Sequence, residues 1–296
     1  MLEGLIESLK WIGLPINASK EGIEIDQTMA LVHLLMLVLF VGWGIFFIYT
    51  IFRFRRSRNP HADYTGVKSH ASSYLEIAVA AFEGVLLIGF SIPFWSARVD
   101  RFPDPAQSTV VEVVAQQFAW NIHYPGPDGV FGKRDAALID TVNVIGLDYE
   151  DPTAADDVIS INQLNVPVDK PVIAYLSSMD VIHSFFLPEM RVKADTIPGM
   201  RIPVHWTPTL TTEEMRRTKV EQGYLTEEEA PLHNYTIACA QLCGIGHYRM
   251  RGMMTVQTEE EFQAWYDQQL EYAQMEDEYY SEEEESVEDP AEGDGE

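Results

Sequence analysis

The chain has 296 residues, 46% of them hydrophobic, and a formal net charge of −26, enough material for one solid domain plus membrane segments. Such an acid excess excludes nucleic acid as a partner, because phosphate binding needs clustered Lys and Arg, and it favours a basic protein partner drawn in by electrostatic steering. Residues 1–28 read as an N-terminal segment on the outer face. No secretory signal is expected there, since its basic residues do not precede a short apolar core with a small-residue cleavage site. Leu2, Leu5, Ile6, Leu9 and Ile12 recur at helical spacing and predict a short amphipathic helix over Leu2–Leu14, lying on the membrane. From Met29 to Phe52 the chain is almost entirely apolar, with His33 inside it, and is long enough to cross a hydrocarbon core of roughly 30 Å. Arg53, Arg55, Arg56 and Arg58 follow at once, which places that end, and the loop 53–76, in the cytoplasm. A second apolar run, Ile77–Ala97, returns outward. Residues 29–97 thus predict a transmembrane hairpin in a bacterial inner membrane, with everything from about Asp100 on the periplasmic face.

Glu76 opens the second helix and Glu83 lies two turns further on, about 10 Å along the axis and on the same side. An acid within a membrane helix points to function by default; for Glu83 a hydrogen bond to a polar group of a neighbouring subunit is an equal reading. Residues 98–273 change to strand grammar. Thr109–Ala115, Val158–Leu164, Val172–Ser177, Ile202–Trp206, Tyr235–Ala240 and Met253–Gln257 are β-branched-rich runs, separated by turn clusters such as 124–129, and they indicate a sandwich or barrel. The loop 135–157 carries Asp135, Asp140, Asp148, Glu150, Asp151, Asp156 and Asp157, a solvated surface that can also guide a basic partner. Thr258 and Glu261 form a capping box before Phe262, Trp265, Tyr266 and Leu270 at helical spacing, so a short helix closes the domain. The tail, 274–296, holds twelve acidic residues and too few apolar ones to fold.

The densest chemistry lies at Cys239, Cys243, His247 and Met250, two thiols, an imidazole and a thioether within twelve residues. Such donors select copper, zinc or iron–sulfur. Two thiolates four residues apart can bridge a pair of metal ions, leaving one His as terminal ligand for each and Met250 as a weak axial ligand. The second His is expected at His183, in an apolar run that reads as the end of a buried strand. Two alternatives stand beside this. The cysteines can form a disulfide in an exported domain, which leaves His183, His247 and Met250 unexplained, and zinc fits the ligand types but not the spacing of its usual paired arms.

With these residues in place, the sequence resembles subunit II of the haem–copper cytochrome c oxidases. The resemblance rests on the loop Cys239–Met250, on Asp180–Ser184, on Ala194–Gly199 and on Gln117–Trp120. It implies a cupredoxin-like Greek-key β-barrel behind a two-helix transmembrane hairpin, and a binuclear copper A centre held by His183, Cys239, the Gln241 carbonyl, Cys243, His247 and Met250. A c-type cytochrome would give electrons to it, and a haem in subunit I would receive them for oxygen reduction coupled to proton translocation; haem itself belongs to partner subunits. Glu76 matches a carboxylate where protons pass from the cytoplasm into the catalytic subunit. Phe118 stands where the family commonly exposes a Trp that accepts electrons, and Trp120 is expected in the core. The family carries Glu at Gln241, so magnesium at the subunit I boundary is left open. A quinol oxidase subunit acting as a docking module is the alternative, set against the intact ligands; a nitrous oxide reductase would need a second copper domain. No haem-attachment motif follows the copper loop, so the donor is a separate protein.

Overall fold

The computed structural model of the protein describes residues 4, 6, 13–61, 64–66 and 68–287, with side chains as far as 273. The amphipathic helix expected over Leu2–Leu14 lies almost wholly outside the described residues, as does 288–296. Contacts divide the chain into two units, Met1–Ile16 with Glu21–Arg101, and Asn17–Lys20 with Phe102–Glu296.

The first unit holds two long helices, α1 (Gly22–Arg53) and α2 (Ala71–Val99). Their 32 and 29 residues reach about 48 and 44 Å at 1.5 Å per residue, more than a hydrocarbon core requires. Both begin before the apolar runs at 29 and 77, and α2 passes 97. Hydropathy marks the stretch that suits lipid, whereas the helix continues wherever backbone hydrogen bonds can continue. Glu24 in the first turn of α1 and Arg53 in its last suit the ends of the helix dipole. Phe40, Ile45, Phe47 and Ile88 point outward, as side chains solvated by lipid do. In α2 the stretch Leu87–Ser91 widens to a π turn just before Pro93, which has no N–H to give to the Gly89 carbonyl.

The second unit is a sandwich of two five-stranded sheets. One contains β1 (Thr109–Gln116), β2 (Ala119–Tyr124), β3 (Val158–Ile161), β5 (Val172–Ser178) and β8 (Ile202–Trp206) in the order β3-β2-β1-β5-β8. The other contains β4 (Gln163–Pro167), β6 (His183–Leu187), β7 (Val192–Thr196), β9 (Tyr235–Cys239) and β10 (Arg251–Gln257) in the order β4-β10-β9-β6-β7. The pairs β1/β5 and β4/β10 are parallel. This is the expected cupredoxin-like Greek-key fold, realised as two facing sheets. Their inner faces meet through Trp120 and Trp206 of the first sheet and Phe185 of the second, with ring centroids 5.5 and 6.3 Å apart. Val111, Val113, Ile122, Leu176 and Ile237 fill the rest of that layer.

The run expected as one strand over Val158–Leu164 is two strands in different sheets. Asn162 has φ of +59°, a left-handed conformation that Asn tolerates better than most residues. There it bridges the sheets: its amide gives a hydrogen bond to the Trp120 carbonyl, 2.7 Å, its side-chain oxygen accepts from Trp120 N–H, 2.9 Å, and its carbonyl accepts from Met253 N–H, 2.8 Å. Two strands, β2 and β7, and a helix, α3 (Thr212–Glu221), fall outside the expected runs. The helix opens on a capping box between Thr211 and Glu214 and buries Met215, a signal present in the sequence.

The acidic loop folds over the outer face of the first sheet, where Ile145, Leu147 and Ala154 pack on Val114. Several of its carboxylates accept backbone N–H groups: Asp135 from Ala137 at 2.9 Å, Asp140 from Val142 and Asn143 at 2.7 Å, Asp148 from Glu150 at 3.1 Å and Asp151 from Thr153 at 3.3 Å. These are Asx turns. The closing helix, α4, spans Glu259–Val287. Tyr124 of the sandwich meets Trp265 and Tyr266, at 5.4 and 6.0 Å between ring centroids. The helical backbone of α4 runs past the expected boundary at 273, as a stretch rich in Glu allows.

Candidate metal centre

Three neighbouring strands of the second sheet deliver the donors. β6 begins at His183, β9 ends at Cys239 and β10 begins just after Met250. Because β9 runs antiparallel to both neighbours, these three strand ends lie together at one end of the sandwich, and the loop 240–250 crosses it. His183 therefore opens a buried strand instead of ending one. Gly244 has φ of +135°, and an added Cβ at Gly246 would meet the Phe118 ring at 2.4 Å. The loop lies so close over that ring that only glycine fits at these turns.

The donor atoms converge. Cys239 Sγ and Cys243 Sγ are 3.8 Å apart, His183 Nδ1 is 4.0 Å from Cys239 Sγ, and His247 Nδ1 is 3.6 Å from Cys243 Sγ. Met250 Sδ lies 3.1 Å from His183 Nδ1 and 3.7 Å from Cys243 Sγ, and the Gln241 carbonyl accepts from the Cys239 thiol at 3.1 Å. Both cysteines are free, their sulfurs far beyond the roughly 2.05 Å of a disulfide, which removes the disulfide reading. Burial, and then the neighbouring Cys239 thiol, pushes the Cys243 thiol up to about 11. Without a cation Cys243 keeps its proton, and a cation must displace it. The donor set, two sulfurs flanked by two imidazole nitrogens with a thioether and a carbonyl, fits a soft redox metal. The ligand atoms of His183, Cys239 and Cys243 all lie within 4.8 Å of one another.

A second layer holds the first. His183 is fully buried, and its Nε2 lies 2.8 Å from Asp180 Oδ1. A proton fixed on Nε2 leaves the Nδ1 lone pair for the sulfur side. Asp180 also accepts from Gln117 N–H at 2.7 Å and Val181 N–H at 2.6 Å. Burial opposes its charge, but His183 and these N–H groups hold the carboxyl below the usual range. The Gln117 side chain gives its own hydrogen bond to the Cys243 carbonyl. Asp180 and Gln117 thus link β1, β6 and the ligand loop; both lie in the stretches Gln117–Trp120 and Asp180–Ser184, but no local pattern there announces their support of the site.

Phe118 is half-buried beneath Gly244 and Gly246, a more enclosed place than an open contact ring. Trp120 is fully buried and turns its edge to the His183 ring, 6.2 Å between centroids. The apolar side chains that reach solvent around the centre include Leu242, Ile245 at 95% exposure and Tyr248 of the loop, together with Val181 and Ile182 just before His183. Glu76 and Glu83 lie in α2, in the other unit, with exposed side chains.

Comparison with known proteins finds relatives of the sequence. Residues 109–214 match the family model described as the periplasmic domain of cytochrome c oxidase subunit II. The chain is 30% identical over 250 residues to the alternative cytochrome c oxidase subunit 2 of Bradyrhizobium diazoefficiens, covering 84% of this chain and 81% of that one. It is 31% identical over 160 residues to cytochrome c oxidase subunit 2 of Thermostichus vulcanus, covering 54% of this chain and 33% of that one. Among solved structures, the periplasmic domain of cytochrome oxidase subunit II of Bradyrhizobium japonicum aligns with a TM-score of 0.38 at 22% identity, over 58% of this chain and 99% of that one.

Proposed function

The chain belongs to the cytochrome c oxidase subunit II family, and from that premise we propose that it is the electron-accepting subunit of a terminal oxidase, with a binuclear copper A centre at the 239–250 loop. As a family member it is a membrane-anchored component of a haem–copper oxidoreductase, with its sandwich facing outward. In the proposed centre Cys239 and Cys243 would hold both ions, His183 and His247 one each, and Met250 and the Gln241 carbonyl would act as weaker ligands. When bound, such a copper pair supplies a one-electron couple. The chain's own residues prepare for it. Asp180 fixes the His183 tautomer, Trp120 and Phe185 keep water from the inner side, and the rigid strand ends hold both sulfurs in place, so little rearrangement accompanies a change of charge. The convergence of two thiols, two imidazoles, a thioether and a carbonyl at one end of these strands is the observation that carries this reading.

In the same reading a c-type cytochrome docks over the exposed loop side chains, with Phe118 beneath them as the ring next to the centre, and subunit I receives the electron. The helices α1 and α2 cross the membrane as a hairpin whose basic loop 53–76 faces the cytoplasm, residues 98–273 form the copper domain, and Glu76 takes up protons at the cytoplasmic end. Copper content and electron paramagnetic resonance of the purified full chain test the centre. Two coppers per chain and more hyperfine lines than a single nucleus gives are expected; one copper with a four-line pattern would overturn it.

A further inference from the structure

The membrane unit contains a groove of about 420 Å³ between α1 and α2. Its wall is mostly apolar, with Met29 and Val32 on one helix and Phe94 and Trp95 on the other, but one end is charged, where Glu24 and Arg98 face each other. Arg98 Nη2 lies 3.8 Å from Glu24 Oε2, within ionic reach and too far for a hydrogen bond. Arg98 Nη1 is buried and has no hydrogen-bond partner. A buried guanidinium N–H left without an acceptor is unfavourable. An acceptor entering the groove would relieve it.

Charge decides which acceptor fits. A lone anion would satisfy Arg98 but crowd the Glu24 carboxylate. A group with a phosphate beside an ammonium satisfies both at once, each through a charge-assisted hydrogen bond. Beyond that pair the apolar wall from Glu24 to Val32 continues for about 12 Å along α1, room for the start of an acyl chain. Trp95, 65% exposed, stands one turn from the charged end, the depth where Trp marks the boundary between lipid and water.

We propose that this groove binds a zwitterionic, amine-bearing phospholipid of the bilayer, such as phosphatidylethanolamine, with Arg98 on the phosphate and Glu24 on the ammonium. The proposal rests on α1 and α2 lying in the membrane and is independent of the copper reading. Native mass spectrometry of the full chain in detergent, titrated with phosphatidylethanolamine or phosphatidylglycerol of identical acyl chains, tests it. The wild type binds one phosphatidylethanolamine about tenfold more tightly than phosphatidylglycerol. Arg98→Gln loses both, and Glu24→Gln binds the two equally. Equal affinities in the wild type, or undiminished binding by a helical Arg98→Gln protein, would overturn the site. If Arg98→Gln does not fold, Glu24→Gln decides alone: a preference unchanged by that substitution refutes the role of Glu24.

Discussion

Two histidines of the sandwich are equally buried, and each places Nε2 against an aspartate, yet their surroundings prepare them for opposite tasks. His183 has Asp180 at 2.8 Å on one side and, on the other, only the soft atoms of Met250 and Cys239. His123 has Asp157 at 2.6 Å and, at 3.8 Å from Nδ1, a second carboxylate, Glu112, which Arg134 and Arg201 each meet at 2.9 Å. Burial works to lower the His123 pKa, but Asp157 and Glu112 outweigh it and hold the imidazole cationic above its ordinary range. Glu112, despite burial, is held at about 2 by His123, Arg134 and Arg201. A carboxylate on one side makes a histidine a better ligand; carboxylates on both sides make it a structural cation. The burial of a histidine alone says nothing about which it is.

The comparison breaks if the two sites fail to separate under mutation. The largest expected effect is at the metal centre: Cys243→Ser or His183→Ala removes bound copper, measured by metal analysis, while the sandwich keeps its far-ultraviolet circular dichroism. His123→Ala should do the reverse. It leaves Asp157 buried without its cation, while Glu112 keeps Arg134 and Arg201, and costs about 3–5 kcal/mol in denaturant unfolding, with copper content unchanged. Copper lost in step with stability would mean that the two histidines belong to one cooperative site.

Smaller changes sharpen the contrast. Asp180→Asn keeps an acceptor for His183 but removes the charge, and copper affinity in competition with a chelator should fall about 10- to 100-fold, with unfolding little altered. The pH dependence follows from the raised His123 pKa. Its stabilisation is complete below the unfolded value near 6.5 and is lost as pH rises through the higher folded value. Unfolding midpoints should therefore decline as pH rises above about 6.5, and His123→Gln should flatten that decline. The smallest effect is expected of Phe118→Ala, which opens space under Gly244 and Gly246. It should slow oxidation of a donor cytochrome at every salt concentration while stability changes little, and unaltered rates would place electron acceptance elsewhere on the loop.

What could be read from the sequence follows distance along the chain. Four of the five side chains that converge at the proposed metal centre fall within one stretch, so their spacing is legible in the sequence, and His183 stands out because an apolar run surrounds it. The hairpin was legible for the same reason, as continuous apolar runs, though its helix ends were not. The His123 network was silent, because Glu112, His123, Asp157 and Arg201 meet only through β-pairing and an overlying loop, and no local pattern announces that. The break at Asn162 was equally hidden, since Val158–Leu164 looks like one continuous strand until one residue turns left-handed. By contrast α3 was readable from Thr211 and Glu214, and β7 from its alternation of Val192, Ala194 and Thr196 with Lys193 and Asp195.

The Asx turns of the acidic loop bear on how its charge can be studied. Asp140 accepts two backbone N–H groups, and these hold its carboxyl below the usual range, so the same atoms that project negative potential also shape the segment that carries them. The field over this face is thus fixed in direction, a set of anchored charges instead of a diffuse cloud. Alanine scanning here would erase charge and turn together and could report a refolded loop as a docking defect. Replacement by asparagine keeps the acceptor oxygen and removes only the charge, which makes Asp140→Asn, Asp148→Asn and Asp151→Asn the substitutions that isolate long-range attraction from local geometry.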